Sequence, residues 1–361
     1  RTFDNIAERG IAAFATDKFQ VDEDLKGPHA ILLRSHNLTI DELDTHVAAV
    51  ARAGAGVNNI PVDVCTERGI VVFNTPGANA NSVKEIVLAA LLLSVRDIVG
   101  GMRFVRMLQD VKEEIDVGAK VESEKRRFRG RELTGRTLGV VGLGSVGSLV
   151  AKAALDLGMD VVGYDPALSI DAAWRLPSQV VRMENLSSLF SRSELVSLHV
   201  PANPETSSMI NAETLASFRP GTALLNFARE EIVDVPAVVN ALDTGILSYY
   251  FTDFPSSLLS GHERAHAMPH LGASTTEAEE NCAVMAARQL DTFLRYGNIE
   301  NSVNFPTISM EPSEGHRIGI SNKNVAGSLG ELLSVLADRQ INVIDLINKS
   351  RGEIAYNLID I

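Results

Sequence analysis

The stretch Thr137-Leu-Gly-Val-Val-Gly-Leu-Gly-Ser-Val-Gly147 begins as an apolar strand and runs straight into three glycines spaced G-x-G-x-x-G, with a helical run, Ser148–Leu157, behind it. Strand, glycine turn and helix in that order form a dinucleotide-binding fingerprint. Gly142 permits the tight turn, Gly144 lets the backbone approach a pyrophosphate, and Gly147 lets the helix pack close to the strand, with the phosphates at the helix N-terminus. A glycine turn alone is a weak signal. Here a second strand, Asp160-Val-Val-Gly-Tyr164, ends at Asp165, eighteen residues beyond Gly147. A carboxylate there accepts both hydroxyls of the adenosine ribose and repels a 2′-phosphate, so the expected cofactor is NAD rather than NADP.

Outward from this unit the βαβ rhythm continues. Strands are expected at Leu138–Val141, Val161–Tyr164, Leu195–His199 and Ala223–Asn226, within a doubly wound domain that begins at Arg136 and runs to about Leu271. Before it, Ala30–Leu33, Val47–Arg52 and Gly69–Phe73 read as strands of another parallel sheet, and Ser82–Met107 as one long helix or two end to end. Lys120–Arg131, with Lys125, Arg126, Arg127, Arg129 and Arg131, reads as a solvated basic linker, an anion site being the alternative. Glu277–Tyr296 is a helix, and Asn298–Pro312 is polar and proline-bearing, as a linker would be. The tail gives a βαββ pattern: a strand at Arg317–Ile320, a helix at Ala326–Asp338, and strands at Val343–Ile347 and Ala355–Ile361. It reads as the front of a longer βαββαβ module. The expected architecture is α/β, with two doubly wound parallel-sheet domains: a flavodoxin-like substrate domain (1–97 with 277–304) and a Rossmann NAD domain (98–276). A partial ferredoxin-like module follows at 313–361.

Composition narrows the function. A 361-residue chain with 45% apolar and 22% charged residues fills ordinary globular cores, and a formal charge of −13 disfavours nucleic acid and anionic membranes as partners. Cys65 and Cys282 show no metal-ligand spacing, so buried thiols are expected and no metal site. The longest apolar run, Ile86–Val99, is interrupted by Arg96 and Asp97 and falls short of the ~20 residues that span a bilayer. No basic-then-apolar leader opens the sequence, and a cytoplasmic location is expected.

Hydride transfer from a secondary alcohol needs a proton acceptor, a cation for the carboxylate and exclusion of water. Arg229, after Leu224-Leu-Asn226, and His270, in Pro269-His-Leu-Gly-Ala-Ser-Thr275, both follow expected strands, where open α/β sheets place ligands. With Arg52-Ala-Gly-Ala-Gly-Val-Asn-Asn59, the glycine turn and Asp165, His199-Val-Pro201 through Thr206, Asn226-Phe-Ala-Arg229, Asp253 and Pro269-His-Leu-Gly272, the chain resembles the D-isomer-specific 2-hydroxyacid dehydrogenases along nearly its whole length. The resemblance implies that Arg229 binds the substrate carboxylate and carbonyl, that His270 is the acid/base, and that the backbone of Ala53, Gly54, Ala55 and Gly56 cradles the carboxylate. It implies that Ser145 and Val146 contact the pyrophosphate and that Asp253 holds the nicotinamide amide. Val200, Pro201, Thr206, Ala228 and Gly272 complete the cofactor surface.

Two positions depart from the family pattern. Leu258 stands where a glutamate usually pairs with the histidine, leaving Glu263 as a substitute or His270 without a carboxylate, and Glu230 replaces a usual glycine after Arg229. Arg34 and Arg52 match arginines that hold a substrate phosphate in the family's members acting on phosphorylated acids, a task suited to paired guanidinium forks. An unphosphorylated D-2-hydroxy acid (lactate, glycerate, 2-hydroxyglutarate) is the alternative substrate, and a non-catalytic NAD-sensing protein a remote one. The tail is similar to the first half of an ACT domain. Asn324 and Asn342 match positions that bind L-serine in related enzymes, and Asn322 stands where histidine is often found, so L-serine is an expected inhibitor. The helical region after Pro76, up to Lys120, resembles the family's dimerisation segment, and a homodimer or homotetramer is expected.

Overall fold

The computed structural model describes residues 1–110 and 114–361, which divide into two compact units, Arg1–Asn79 with Thr275–Ile361, and Ala80–Ser274. In the first, strands β1 (Ala30–Leu33), β2 (Ala49–Arg52) and β3 (Val71–Phe73) form a parallel sheet in that order. All three strands are apolar almost throughout because both faces are covered. Leu32, Ala49, Ala51, Val71 and Phe73 pack towards Cys282, Ala283, Ala286 and Leu290 of the long helix Thr276–Tyr296, while Ile31, Leu33, Val50 and Val72 pack with Ile60 and Cys65. Both cysteines are free and buried, as expected.

The second unit holds seven parallel strands: β4 (Thr137–Val141), β5 (Asp160–Tyr164), β6 (Val181–Arg182), β7 (Leu195–Leu198), β8 (Thr222–Asn226), β9 (Leu247–Thr252) and β10 (Ala265–Ala267). Their spatial order is β10-β9-β8-β7-β4-β5-β6. The chain leaves β4 in one direction for β5 and β6 and returns on the other side for β7 to β10. The order therefore reverses beside β4, the kind of crevice where doubly wound sheets bind ligands. This is the Rossmann arrangement that the glycine stretch predicts.

The structure settles one open expectation and corrects others. The run from Ser82 to Met107 is two helices, Ala80–Val95 and Ile98–Met107, with Asp97 capping the second by accepting the N–H of Gly100 at 2.8 Å. The first of them packs against helix Ser145–Asp156, and Val83, Val87, Ala90 and Leu91 join the core of the second unit, so residues 80–97 lie there rather than with 1–79. The basic run, read as a solvated linker, carries structure of its own: Lys120–Glu124 end the helix Glu114–Glu124, a 3-10 turn follows at Lys125–Phe128, and Lys125, Arg126, Arg127, Arg129 and Arg131 are exposed.

Residues 298–312 are not a linker either. Ile299, Phe305, Ile308 and Met310 are buried in the core of the first unit, and Ser302 bridges Phe73 beside β3. The tail docks on the same core. Strands β11 (Arg317–Lys323), β12 (Asp345–Arg351) and β13 (Ile354–Asp360) form an antiparallel sheet with β13 in the centre, a partial ACT-like arrangement. Tyr356 and Leu358 of β13 join Phe305 and Leu290, and Arg317 grips Asp360 in a two-pronged pair at 2.7 and 2.8 Å while donating to the carbonyls of Tyr296 and Met310.

Candidate active site

In the second unit the glycine turn has the geometry its sequence requires. Gly142 adopts φ +87°, and a Cβ there would stand 2.4 Å from the carbonyl oxygen of His199. At Gly147 a Cβ would fall 1.9 Å from the carbonyl of Gly142, closing the helix onto the turn. Gly144, which precedes helix Ser145–Asp156, faces open space, with no atom within 4 Å of where its Cβ would be. The turn thus leaves room for a pyrophosphate against free backbone N–H groups at a twelve-residue helix start. The carboxylate of Asp165 is held beside it, one oxygen accepting from Leu143 N at 2.8 Å and the other from Ala167 N at 3.0 Å. These residues fit NAD, with the acid fixed where a ribose would meet it.

The remaining carboxyl ends carry the chemistry-bearing side chains. After β8, buried Asn226 accepts the N–H of Ala228 at 3.1 Å and donates to the carbonyl of Arg229 at 2.8 Å, fixing the turn that presents Arg229. The Arg229 guanidinium uses one N–H on the carbonyl of Ala228 at 2.6 Å. Glu230 opens an exposed 3-10 turn, and nothing in the structure explains a glutamate there. After β7, Val200 and Pro201 lead into a turn closed by Thr206, whose hydroxyl donates to the carbonyl of Pro201 at 2.6 Å. His199, at its start, bonds Ser197 Oγ through Nε2 at 2.8 Å, and burial pushes its imidazole down to about 3, so it stays neutral.

His270 is exposed and lies in the left-handed region at φ 54°, an uncommon place for a residue with a side chain. Its backbone is tied to the residues just after β9 and β10 by bonds from its N–H to the carbonyls of Asp253 and Met268. Asp253, 2% exposed, accepts from Leu271 N and Gly272 N at 2.7 Å each. Both of its oxygens are therefore engaged with the histidine loop, and each keeps a further lone pair for a carboxamide. The His270 ring meets the edge of Phe254 at 5.3 Å. Among the described residues no carboxylate lies within ion-pair distance of that ring; Glu263 is exposed and is not brought to it.

In the first unit Arg34 follows β1 and Arg52 ends β2. Arg52 donates to the carbonyls of Arg34 at 2.9 Å and Gly56 at 2.6 Å, shaping the Ala53–Gly56 turn, and Asn74 donates to Ala55 at 2.6 Å. Asn59 braces the same place through the carbonyls of Arg34 and His36. Arg34 also reaches Glu279 Oε1 at 2.8 Å, an acid on the first turn of helix Thr276–Tyr296. Asn59 and Asn226 stand in motifs quoted from sequence, but their bracing roles, and Asn74 and Glu279 altogether, were not foreseen. The bonds that the asparagines make to main-chain carbonyls depend on backbone geometry that a motif does not spell out, and an acid in a first helical turn reads as an ordinary complement to the helix dipole. In the tail, Asn322 accepts from Asn357 at 2.7 Å, Asn324 donates to Gly352 at 3.1 Å, and Asn342 is exposed.

Residues 100–272 match the D-isomer specific 2-hydroxyacid dehydrogenase NAD binding domain. The D-3-phosphoglycerate dehydrogenase of Escherichia coli K12 is 31% identical over 362 residues, covering 96% of this chain and 84% of that protein. The chain belongs to the D-isomer-specific 2-hydroxyacid dehydrogenase family. It is an NAD-dependent oxidoreductase of that family. The Synechocystis D-3-phosphoglycerate dehydrogenase is 34% identical over 322 residues, and the chain spans 55% of that relative's length. Among solved structures, the NAD+-bound 3-phosphoglycerate dehydrogenase of Entamoeba histolytica is similar with a TM-score of 0.64 at 26% identity, over 84% of this chain and 97% of that one. The D-lactate dehydrogenase of Aquifex aeolicus shares the fold, with a TM-score of 0.64 at 24% identity over 83% of this chain and 96% of that one.

Proposed function

We propose that this dehydrogenase oxidises 3-phospho-D-glycerate to 3-phosphohydroxypyruvate, the first step of L-serine biosynthesis. The observation that carries the substrate is the neighbourhood of Arg34 and Arg52 at the ends of β1 and β2, where the Arg52 side chain donates to the main-chain carbonyl of Arg34. Paired forks suit a phosphate dianion, and the relatives named for phosphoglycerate support the same reading.

Bound NAD supplies the hydride acceptor. Arg229 orients the carboxylate and the oxygen of the reacting carbon, its backbone held by Asn226. As the C–H bond gives up its electron pair, the hydroxyl proton passes to the His270 ring and a C=O bond forms. Asp253 holds the backbone that follows His270 through the next two N–H groups. Glu263 has no part in this arrangement.

One observation favours a second reading, an unphosphorylated D-2-hydroxy acid: Glu279 already neutralises Arg34. NADH formation from 3-phosphoglycerate, compared with D-lactate, D-glycerate and 2-hydroxyglutarate, separates the two. Loss of preference for the phosphorylated acid defeats the first. We also propose a homodimer through helix Ile98–Met107, whose Met102, Val105 and Met107 are exposed apolar residues, and inhibition by L-serine at Asn322, Asn324 and Asn342. An unchanged rate at millimolar serine would count against the latter.

A further inference from the structure

In the second unit, a cavity of about 590 Å³ opens beside the amino ends of β7, β8 and β9, the sheet edge opposite the glycine turn. At about 3.3 Å per residue, strands of this length separate the two edges by ~15 Å. Six arginines line the cavity: Arg96, Arg127, Arg129, Arg131, Arg136 and Arg219. Only two lining residues are acidic, and both are already engaged. Asp97 caps helix Ile98–Met107, and Glu194 is shared between Arg136 and Arg219. Arg127 pairs with Glu124 and lies over the rings of Phe104 and Phe128. Arg96, Arg129 and Arg131 have no ion pair among the described residues.

The wall that carries them is fixed. Arg131 N donates to the carbonyl of Val95 at 2.9 Å, and a Cβ at Gly130 would stand 2.4 Å from that oxygen, so the Arg129–Arg131 backbone rests on the end of helix Ala80–Val95. On the facing side, the turn at Arg219 is closed by Thr222 N donating to its carbonyl, with Gly221 at φ +82°. Guanidinium groups gathered around one cavity repel one another, and this concentration of positive charge stands in a chain of net charge −13. The gathering favours an anion of high charge, and guanidinium forks match phosphate oxygens in pairs. Phe128 and Tyr249 also line the wall, their rings against Arg127 and His266.

We propose that this cavity is a second anion site, for a small ligand carrying at least two phosphate groups, at the sheet edge opposite the glycine turn that takes the cofactor. It gives a role to the basic run 125–131, which neither cofactor binding nor hydride transfer uses.

Pyrophosphate and ADP are titrated calorimetrically into the full chain holding one NADH per chain, in the native protein, in R129Q/R131Q and in R34Q. The expected result is one diphosphate site whose Kd rises about tenfold or more in R129Q/R131Q, about 1.4 kcal/mol per factor of ten, and stays within about twofold in R34Q. Tighter binding of ADP than of pyrophosphate assigns the ligand as a nucleotide; equal binding assigns the diphosphate alone. R131K, which keeps the charge and loses the fork, gives an intermediate Kd. No binding at millimolar pyrophosphate, binding insensitive to R129Q/R131Q, or binding lost in R34Q overturns the proposal. So does a change of oligomeric state in R129Q/R131Q without any diphosphate binding, which would make the cavity wall a contact between copies.

Discussion

The buried carboxylate of Asp253 and the backbone of Gly272 are matched to each other: the N–H donates to Oδ2 at 2.7 Å, and a Cβ on residue 272 would stand 2.8 Å from that same oxygen. Because Oδ1 takes the N–H of Leu271, one acid fixes the loop immediately after His270. Asp253→Asn offers an amide where an acceptor is needed and leaves one N–H without its charged partner, a loss of about 1–3 kcal/mol. Urea denaturation is expected to show that loss, with a lower rate of NADH formation. Gly272→Ala should behave similarly, and the double variant should cost less than the two singles added, because both break one contact. Additive losses would refute the coupling.

His270 holds a left-handed backbone, which costs a residue bearing a Cβ roughly 1–2 kcal/mol. Glycine escapes that cost. H270G and H270A are both expected to lose turnover and to keep NADH binding, measured by fluorescence titration, with H270G the more stable by about 1 kcal/mol after its greater unfolded-state entropy is deducted. Turnover near the native rate in either variant would remove His270 from the proton-transfer role.

The Arg34–Glu279 pair is 35% and 40% exposed, so it contributes little to stability, about 0–1 kcal/mol, and a dianion can displace it. The carboxylate nevertheless competes with phosphate for the same guanidinium. Glu279→Gln should lower KM for 3-phosphoglycerate by a factor of about 3 to 10, equivalent to roughly 1 kcal/mol, and leave KM for D-glycerate unchanged. Equal shifts for both acids would mean that Arg34 does not meet the phosphate.

Asp360 is 1% exposed on its side chain, and the Arg317 guanidinium bonded to it holds its carboxyl below the usual value of 3.8. A depressed acid contributes stability that is full above the unfolded value and lost as pH falls through the lower folded one. The docked tail should therefore stay protected above about pH 4 and lose protection below it. Hydrogen exchange of β13 across that range reads this directly. Arg317→Ala strands the buried charge, with an expected loss of about 3–5 kcal/mol, and exchange in β13 unaltered by this variant would show that the pair does not hold the tail.

What the sequence made legible follows from local chemistry. The glycine turn and the strands ending before Gly142, Asp165 and Arg229 need only nearest-neighbour patterns, and the structure has them at those positions, whereas β9 and β10 before His270 had no strand range expected for them. Residues 298–312 misled because their polar and proline content hides four well-spaced apolar side chains, Ile299, Phe305, Ile308 and Met310, that only a tertiary core collects. The assignment of helix Ala80–Val95 depended likewise on packing against Ser145–Asp156, which periodicity cannot show. Proximity in sequence pointed to Glu263 as a partner for His270, but no ion pair joins the two among the described residues, because seven positions of separation do not fix where a loop side chain reaches. Glu279 was invisible as a partner of Arg34 because 245 residues separate them.

The claim that this family member acts on a phosphorylated acid through Arg34 is tested most directly by kcat/KM for 3-phosphoglycerate against D-glycerate, with NAD, in the native chain and in Arg34→Gln. The account predicts a strong native preference for the phosphorylated acid that falls by about 10- to 100-fold in the variant, as expected when a charge-assisted pair worth about 1.5–3 kcal/mol is removed, with glycerate turnover unchanged. A native enzyme that prefers the unphosphorylated acid, or a variant that loses both activities in equal measure, would contradict it.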